Sequence, residues 1–460
     1  MVRFPMLISL LIVNAAAADE LKVGFGEVDI TPKLSGKPVY LAGFGSNRTA
    51  TKVHDPILAR AVVLHDGTKT AAFVSVDLVG LFYPTVEAIR KALPKFDLVL
   101  VSSTHNHEGP DTLGLWGRSP FQTGVDPDYL KQVERGCIAA VTDAHAKLVT
   151  ATAAVGTARG PELLHDARLP DVKHDELTVL KFTQADGGLA GIVVQWNCHP
   201  ETLDSKNTEL SADFVGYTVA ALQAKHRTPV VYFTGTVGGL MTSLHVPLKS
   251  ADGTPLHDGT FEKTEAYGRA VAALADKALT AAVPAKLTPF EFRIVPCLIP
   301  VENAIYRLAG QLGILNRPLY AMSDNTDATA WQVTKDLSGK IAVKTEVGLL
   351  ILGDLSIAAL PGEIYPELVL DKIQDPADPG ADFPDAPKET AVYPLMKSKH
   401  KMLIGLANDE IGYFIPKRQW DDKPPFAYGL KKSQYGEINS VGPEAARVIT
   451  TAFRKAATGK

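Results

Sequence analysis

Two histidines separated by one residue, His105 and His107, lie in the segment Leu98–Asp111. They follow an apolar, β-branched run without charge, and this pattern predicts a strand buried on both faces. Because side chains alternate along a strand, we expect both imidazoles on the same side, about 6.6 Å apart along the chain. They could bind one metal ion together, or one could bind the metal while the other transfers protons. The alternative without function is a pair of loop histidines hydrogen-bonded to nearby backbone.

Three other predicted strands also end in groups that could bind a metal ion. The four endings are His105-Asn106-His107, His199-Pro200, Pro361-Gly362-Glu363 and Asn408–Tyr413. Ligands of α/β sheets gather outside the strand ends, where loops converge, so we expect these groups to lie close together. Two histidines and a carboxylate are a usual zinc set for hydrolysis. Zinc lowers the pKa of bound water to about 7 and polarises a carbonyl group.

The elements around these strand ends predict one large mixed α/β domain, with β-sheets packed against helices. Runs of β-type residues over Ala59–Leu64 and Thr70–Val76, joined by a turn at Asp66-Gly67, predict a hairpin. Apolar residues at helical spacing over Pro127–Leu148 predict a helix packed on a sheet. The sequence has no internal repeat, and no linker divides it into two domains.

Composition and the first residues limit the class of protein. The net charge of −4 and the lack of a basic cluster exclude a nucleic-acid-binding surface. Arg3, the apolar run Met6–Val13 and the small residues Ala15–Ala18 predict a secretory signal peptide over residues 1–18. No later segment has 18 uninterrupted apolar residues, so we expect a mature chain without a transmembrane segment, periplasmic or extracellular after cleavage.

The string Ser103-Thr-His-Asn-His-Glu-Gly-Pro110 resembles the Ala-Thr-His-Thr-His-Ser-Gly-Pro signature of the neutral/alkaline ceramidase family. Further motifs follow in the family's order: Val23–Pro32, Leu58–Leu64 with Asp66-Gly67, Trp196–His199, Leu360–Glu363, and Gly405–Asn408 before Tyr413. The resemblance implies a neutral-ceramidase-like catalytic domain of mixed β-sheets packed with helices over residues 19–460. Ceramidases usually carry an immunoglobulin-like C-terminal domain as well, and we expect no such domain within residues 19–460.

The resemblance also implies a metal site. Its four ligands to one zinc ion (Zn²⁺) would be His105, His199, Glu363 and Tyr413. The spacing of residues alone does not predict a tyrosine ligand. His107 would lie beside the metal, where it would transfer protons or hydrogen-bond the developing oxyanion.

Three more residues take roles from the resemblance. Arg168 falls where the family has an arginine in the active-site wall, and Tyr435 resembles a tyrosine that helps hold the substrate carbonyl. The family's Gly-Asp-Val-Ser-Pro-Asn loop corresponds to Gly235–Leu240, and Gly238 takes the position of the serine. We therefore expect Gly238 at the substrate, without the hydroxyl that would meet the head group.

The resemblance thus implies a zinc-dependent amidohydrolase in which zinc-bound water attacks the amide carbonyl of a ceramide-like N-acyl lipid. Because the serine is missing, another N-acyl compound is an alternative substrate. A metal-dependent esterase or lactonase on the same scaffold is an alternative activity. A non-catalytic extracellular binding module that kept its metal is the alternative outside enzymes, although four ligands together favour a site in use.

Overall fold

The computed structural model of the chain describes residues 20–325 and 327–459, so the predicted signal peptide lies outside the described residues. The strands are β1 (Lys22–Asp29), β2 (Lys52–Val53), β3 (Leu58–His65), β4 (Thr70–Val76), β5 (Leu98–Ser103), β6 (Val149–Arg159), β7 (His165–Asp166), β8 (Glu176–Gln184), β9 (Leu189–Trp196), β10 (Glu209–Leu210), β11 (Val230–Thr234), β12 (Met241–Thr242), β13 (Val283–Ala285), β14 (Phe290–Pro300), β15 (Tyr320–Ala321), β16 (Ile341–Leu352), β17 (Leu355–Ala359), β18 (Glu363–Ile364), β19 (His400–Ile404) and β20 (Tyr413–Phe414). The α-helices are α1 (Tyr83–Ala92), α2 (Pro127–Ala146), α3 (Asp213–His226), α4 (Phe261–Thr280), α5 (Ala304–Gln311), α6 (Pro366–Leu370), α7 (Val392–Leu395) and α8 (Ala445–Thr458).

Two large mixed sheets form the centre of the fold. The first has nine strands in the order β11-β9-β8-β6-β1-β3-β4-β5, with β13 added on β6. Its pairs β4–β5 and β9–β11 are parallel and its other pairs are antiparallel. The second has five strands in the order β14-β16-β17-β19, with β15 on β16, and only its β17–β19 pair is parallel. The short pairs β10–β2, β12–β7 and β18–β20 complete the pairing among the described residues.

The two sheets pack face to face, and helices cover their outer faces. Phe73 and Leu100 of the nine-stranded sheet share one apolar cluster with Leu352 and Ile357 of the five-stranded sheet. Helices α1 to α4 pack on the other face of the larger sheet, and α8 packs on the smaller one. The result is a four-layer α–β–β–α arrangement, which confirms the predicted mixed α/β class. None of the described helices combines the length and apolar character needed to cross a bilayer.

The predicted hairpin and sheet-covering helix are both confirmed. Strands β3 and β4 pair antiparallel across the turn, where Asp66 Oδ1 accepts hydrogen bonds from the backbone N–H groups of Thr68 and Lys69. Helix α2 lies very close to β1, because a Cβ atom at Gly24 would be 2.0 Å from the carbonyl oxygen of Ala144. Only glycine permits this approach, so α2 is held against the sheet that carries the site.

Strand β5 is buried on both faces, as predicted, but it ends before His105 and His107, so these residues are not part of the strand. Leu100 faces the core between the sheets and Val101 faces the helices. The strand stops at Ser103, and His105 adopts a left-handed backbone conformation with φ of 68°. Alternation along a strand therefore does not explain how His105 and His107 are oriented, and the predicted reason was wrong. A turn immediately after the strand directs them instead.

Candidate active site

The four predicted strand ends meet at one place. Strands β18 and β20 pair in parallel with Glu363 opposite Tyr413. Just after β9, the backbone of His199 pairs with that of Thr242. Strand β5 reaches the same place, because Nε2 of His105 lies 3.2 Å from Oε2 of Glu363. The structure therefore brings together side chains that are as much as 308 positions apart in the sequence, from 105 to 413.

His105 and His199 are fixed in the same way. Nδ1 of His105 lies 2.8 Å from the carbonyl oxygen of Val79, and Nδ1 of His199 lies 2.9 Å from that of Met241. A carbonyl oxygen only accepts, so Nδ1 carries the proton in both rings. In the neutral rings Nε2 keeps its lone pair, and both Nε2 atoms face Oε2 of Glu363, at 3.2 and 2.9 Å.

The charge balance of this group favours a cation. Burial alone would lower the pKa of His105, but the charge and hydrogen bond of Glu363 outweigh it and raise the pKa to about 9. Burial alone would raise the pKa of Glu363, but His105 and His199 hold it well below its usual range. A positive charge between these side chains is therefore stabilised, whether a proton or a metal ion supplies it.

The donor set fits a metal ion. The hydroxyl of Tyr413 lies 3.2 Å from Nε2 of His199, on the same side as Glu363. In a tetrahedral site with bonds of about 2.0–2.1 Å, neighbouring ligand atoms are about 3.3 Å apart. The separations of 2.9 to 3.2 Å among His105, His199, Glu363 and Tyr413 are close to that value. The hydrogen bonds from Nδ1 to backbone carbonyls are also the usual support of histidine ligands.

His107 lies beside this group. Its ring centroid is 4.9 Å from that of His105 and 5.6 Å from that of His199, and the three rings offer ligand atoms within 4.8 Å of one another. Nδ1 lies 3.3 Å from Oε2 of Glu201, within ion-pair distance, and neither ring nitrogen has a hydrogen-bond partner among the described residues. Burial lowers the pKa of His107 to about 4, so the ring is uncharged at neutral pH.

Two buried carboxylates of the site were missed in the sequence. Glu201 faces His107, and the interaction with this imidazole lowers the pKa of Glu201 to about 2 although burial opposes the shift. Burial and the nearby charge of Glu363 raise the pKa of Glu410 well above its usual value, and its Oε2 has no partner among the described residues. Glu201 lies two positions after His199, and Glu410 lies within the predicted ending Asn408–Tyr413, three positions before Tyr413. That proximity was the available signal.

A cavity of about 340 Å³ opens over these groups. Its polar floor is formed by His105, His107, Glu363, Glu410 and Tyr413. Its walls are mainly apolar and consist of Phe44, Val79, Phe82, Leu113, Leu115, Trp116 and Leu315. A few convergent polar groups inside an apolar cavity of this size are typical of a small-molecule site.

Tyr435 lies at the cavity and Arg168 lies behind it. Tyr435 lines the cavity, its hydroxyl accepts a hydrogen bond of 2.6 Å from Asn439 Nδ2, and its ring meets that of Tyr413 at 5.9 Å. Arg168 forms a bidentate ion pair with Glu437 at 2.7 and 2.8 Å and donates to the carbonyl oxygen of Tyr435. Arg168 lines a wider neighbouring groove and not this cavity, and it holds the segment that carries Tyr435.

Gly238 also lies outside the cavity lining. Its N–H donates to the carbonyl oxygen of Ile364, and a Cβ atom there would be 2.4 Å from Cδ1 of Tyr365. The position therefore packs beneath the chain that follows Glu363. The absent side chain is a packing requirement in this backbone.

Replacing Gly238 with serine is expected to destabilise the protein by about 1–3 kcal/mol, because the new atoms would overlap the backbone after Glu363. Urea unfolding measures this change. The matched control is Gly339→Ser, since nothing lies within 4 Å of a Cβ atom at that exposed position. Equal stability of the two variants would show that the backbone near Tyr365 yields easily, contrary to this prediction.

Comparisons with known proteins agree with the geometry. Residues 21–243 match the family model described as neutral/alkaline non-lysosomal ceramidase, N-terminal. A neutral ceramidase of Pseudomonas aeruginosa is 25% identical over 228 residues. The match covers 44% of this chain and 34% of that protein, so it spans about a third of the relative's length.

The fold extends the likeness beyond the matched sequence. A solved structure titled as a ceramidase complexed with C2 superposes with a TM-score of 0.70 at 14% identity, over 96% of this chain and 75% of the other. The neutral ceramidase structure from Pseudomonas aeruginosa gives 0.70 at 15% identity, over 96% and 74%. The resemblance predicted from the motifs is confirmed: the chain is similar to the neutral/alkaline non-lysosomal ceramidases in sequence over residues 21–243 and in fold over 96% of its length.

Proposed function

We propose that the chain is a zinc-dependent hydrolase that cleaves the amide bond of an N-acyl lipid of the ceramide type. One observation carries the proposal: Nε2 of His105 and of His199 both face Oε2 of Glu363, and His105 and Glu363 line an apolar cavity. The relationship to neutral ceramidases supports hydrolysis of an amide as the reaction class. The lipid itself is inferred from the cavity.

Four side chains would hold the metal ion: His105, His199, Glu363 and Tyr413. Imidazole and carboxylate ligands suit zinc, which, when bound, lowers the pKa of water and polarises a carbonyl oxygen. The hydrogen bonds of Val79 and Met241 to the two imidazoles keep both rings oriented toward the site. Burial keeps the Tyr413 phenol protonated in the absence of a cation, since its pKa lies well above the usual value.

His107 would transfer the protons of the reaction. Glu201 faces Nδ1 and favours the tautomer with the proton on that atom, so Nε2 is left to accept. Nε2 is then available to take a proton from the attacking water and to return it to the amine nitrogen that leaves. The uncharged imidazole would accept the proton, and the imidazolium so formed would return it.

Tyr435 would hold the substrate carbonyl. Its oxygen accepts the hydrogen bond of Asn439, so its own O–H group remains to donate to a carbonyl oxygen in the cavity. Arg168 is then a positioning residue, because it donates a hydrogen bond to the carbonyl oxygen of Tyr435 and forms an ion pair with Glu437. Gly238 would act indirectly: because it has no side chain, Ile364 and Tyr365 can pack in the space that a serine side chain would occupy.

The apolar walls favour an acyl chain over a small polar substrate. Phe82, Leu113 and Leu315 belong to one buried cluster that reaches the cavity, so methylene groups placed there would lose contact with water. Each buried methylene contributes about 0.8 kcal/mol. A short polar amide would leave most of this wall exposed.

A substrate panel tests the proposal. Release of fatty acid is measured from N-acyl sphingoid bases, N-acyl amino acids, simple esters and lactones, before and after chelation and after zinc is restored. We expect turnover of the N-acyl lipids, loss of activity with the chelator, and recovery with zinc. Turnover of esters or lactones alone would assign the esterase alternative, and metal binding without turnover would assign a binding module. Activity that survives complete metal removal would contradict the proposal.

Replacing Glu201 with glutamine is expected to lower kcat about 10–100-fold while zinc content stays unchanged, because the carboxylate supports His107 and is not a proposed ligand. Steady-state kinetics and metal analysis measure the two quantities. The matched control is Glu209→Gln, whose carboxylate pairs with the exposed Lys52. Loss of zinc in Glu201→Gln would show that Glu201 belongs to the metal site itself.

A further inference from the structure

Helix α5 presents an apolar outer face. Ile305, Leu308 and Leu312, which directly follows the helix, are three and four residues apart, so they share one side. Their exposed fractions are 54%, 46% and 51%. At the edge of this face Ala309 is buried in an apolar cluster, and Tyr306, farther around the helix, lines the cavity of the site. Because Arg307 and Gln311 are polar, α5 is amphipathic, and the apolar face of such a helix is normally buried against another structure.

The apolar surface continues from α5 across a wide groove. Asn303 Nδ2 donates to the carbonyl oxygen of Ile438 at 3.0 Å, which places the exposed Ile438 beside the start of α5. Ile305 and Ile438 both line this groove, whose volume is about 1360 Å³. Tyr435 lines both the groove and the smaller cavity, so the groove leads to the site. We name the exposed apolar side chains here the apolar rim: Leu169, Ile305, Leu308, Leu312, Leu430 and Ile438.

The clustering is specific to this side of the molecule. Thirteen large apolar or aromatic side chains are strongly exposed among the described residues, and eight of them lie on the outer face of α5 or line the groove. Single exposed apolar residues are ordinary, whereas contiguous ones mark an interaction surface. The apolar rim therefore requires a partner.

Charges in the groove exclude a partner recognised mainly by its charge. The groove is lined by side chains of both signs, the basic Arg168, Lys423, Lys431 and Lys432 and the acidic Asp166, Asp171, Glu302, Asp382, Asp422 and Glu437. Opposite charges at similar distances cancel most of the field that would attract an anionic surface. The apolar side chains therefore supply the attraction.

We propose that the apolar rim docks the protein on the surface of a lipid bilayer, from which a lipid passes along the groove and past Tyr435 into the cavity. The identity of that lipid rests on the proposed function. A protein covering the rim would close the entrance that the substrate needs, whereas a lipid surface covers the rim and supplies the substrate. A short amphipathic helix with bulky aliphatic residues on one face is a known way to enter the interfacial region of a bilayer.

Vesicle flotation tests this inference without any catalytic step. The full chain is mixed with phosphatidylcholine vesicles, and the bound fraction is compared with that of Ile305→Gln combined with Leu308→Gln and Leu312→Gln. Glutamine keeps the helix propensity close to that of leucine, so the triple variant retains α5. We expect at least an approximately tenfold weaker apparent affinity, and little dependence of wild-type binding on salt.

The control variant combines Val149→Gln with Val283→Gln, two exposed valines that line neither the groove nor the cavity. It is expected to bind vesicles like the wild type. Circular dichroism and turnover of a short-chain, water-soluble N-acyl substrate check that the triple variant is folded. Ile438→Gln alone is a second, milder test outside the helix, and weaker vesicle binding by this variant supports the inference.

The outcomes separate this inference from the proposed function. Absence of vesicle binding by the wild type, or equal binding by the triple variant, overturns the docking surface even if the soluble substrate is hydrolysed. Vesicle binding without hydrolysis of any substrate overturns the proposed function and supports the docking surface. A dimer in solution that the triple variant dissociates would assign the apolar rim to a second copy of the chain and overturn the inference.

Discussion

Replacing His199 with alanine is expected to remove the bound zinc and to lower hydrolysis at least about a thousandfold. The wild type should hold about one zinc ion per chain, as a single site would. Nε2 of His199 is the closest neighbour of Glu363 Oε2 in the site, at 2.9 Å, and it also lies 3.2 Å from the Tyr413 hydroxyl. Without the His199 ring, Glu363 and Tyr413 both lose their contact with Nε2. Metal analysis of the purified variant measures the first effect, and turnover of the best substrate measures the second.

His245→Ala is the matched control, because His245 is an exposed histidine that pairs with Asp258 away from the cavity. It should keep both zinc and activity. The double variant of His105 and His199 to alanine should behave like the single variant, since residues that act as one site are not additive. Unchanged zinc in this double variant would refute the proposed ligand set. Loss of zinc with retained activity would refute the role of the metal.

The local parts of the fold could be predicted because they depend on nearby residues. The apolar run before His105 predicted a strand buried on both faces, and the hairpin from Ala59 to Val76 followed from alternation and a turn. The conformation of His105 could not be predicted, since its positive φ is imposed by the turn that brings its ring to Val79. Periodicity describes an element but not how the chain leaves it.

The partners of the site side chains could not be predicted from pattern either. Spacing indicated that strand ends would converge, but only the resemblance to ceramidases named Tyr413. Glu201 gives no signal apart from its place beside His199, because its importance comes from the position of His107 in space. The packing of Gly238 against Tyr365 likewise joins segments more than a hundred residues apart. Such contacts are set by tertiary structure, which overrides local preference.

The exposure of the apolar rim could not be predicted from the sequence either. Ile305, Leu308 and Leu312 have the spacing of a helix that packs on a core, and in the sequence they are indistinguishable from buried residues. Only the structure shows that Tyr306 and Ala309 take the inner face of α5, which leaves the other three exposed. Exposure, and with it a function at the surface, therefore had to be read from the fold.

Replacing Arg168 with alanine is expected to destabilise the protein by about 3–5 kcal/mol, because it leaves Glu437 buried without its partner. Both side chains are almost fully buried, and their bidentate contacts span 269 positions of the sequence. The carbonyl oxygens of Gln419 and Tyr435 would also lose their donors. Urea unfolding measures the loss of stability. An equal slope of the free energy of unfolding against urea concentration in variant and wild type confirms that the transition is otherwise unchanged.

The control for Arg168 is Arg269→Ala, which removes a close pair with Glu265 between two side chains that are 72% and 43% exposed. Solvent screens that pair, so its loss should leave the unfolding midpoint nearly unchanged. Arg168→Met combined with Glu437→Leu should recover part of the stability, because no buried charge remains unpaired. If Arg168 only positions Tyr435, this double variant should bind zinc normally and show a reduced kcat that follows the displacement of Tyr435. Full stability of Arg168→Ala together with complete loss of activity would instead place Arg168 at the reacting carbonyl, and its ion pair with Glu437 would then be incidental to the fold.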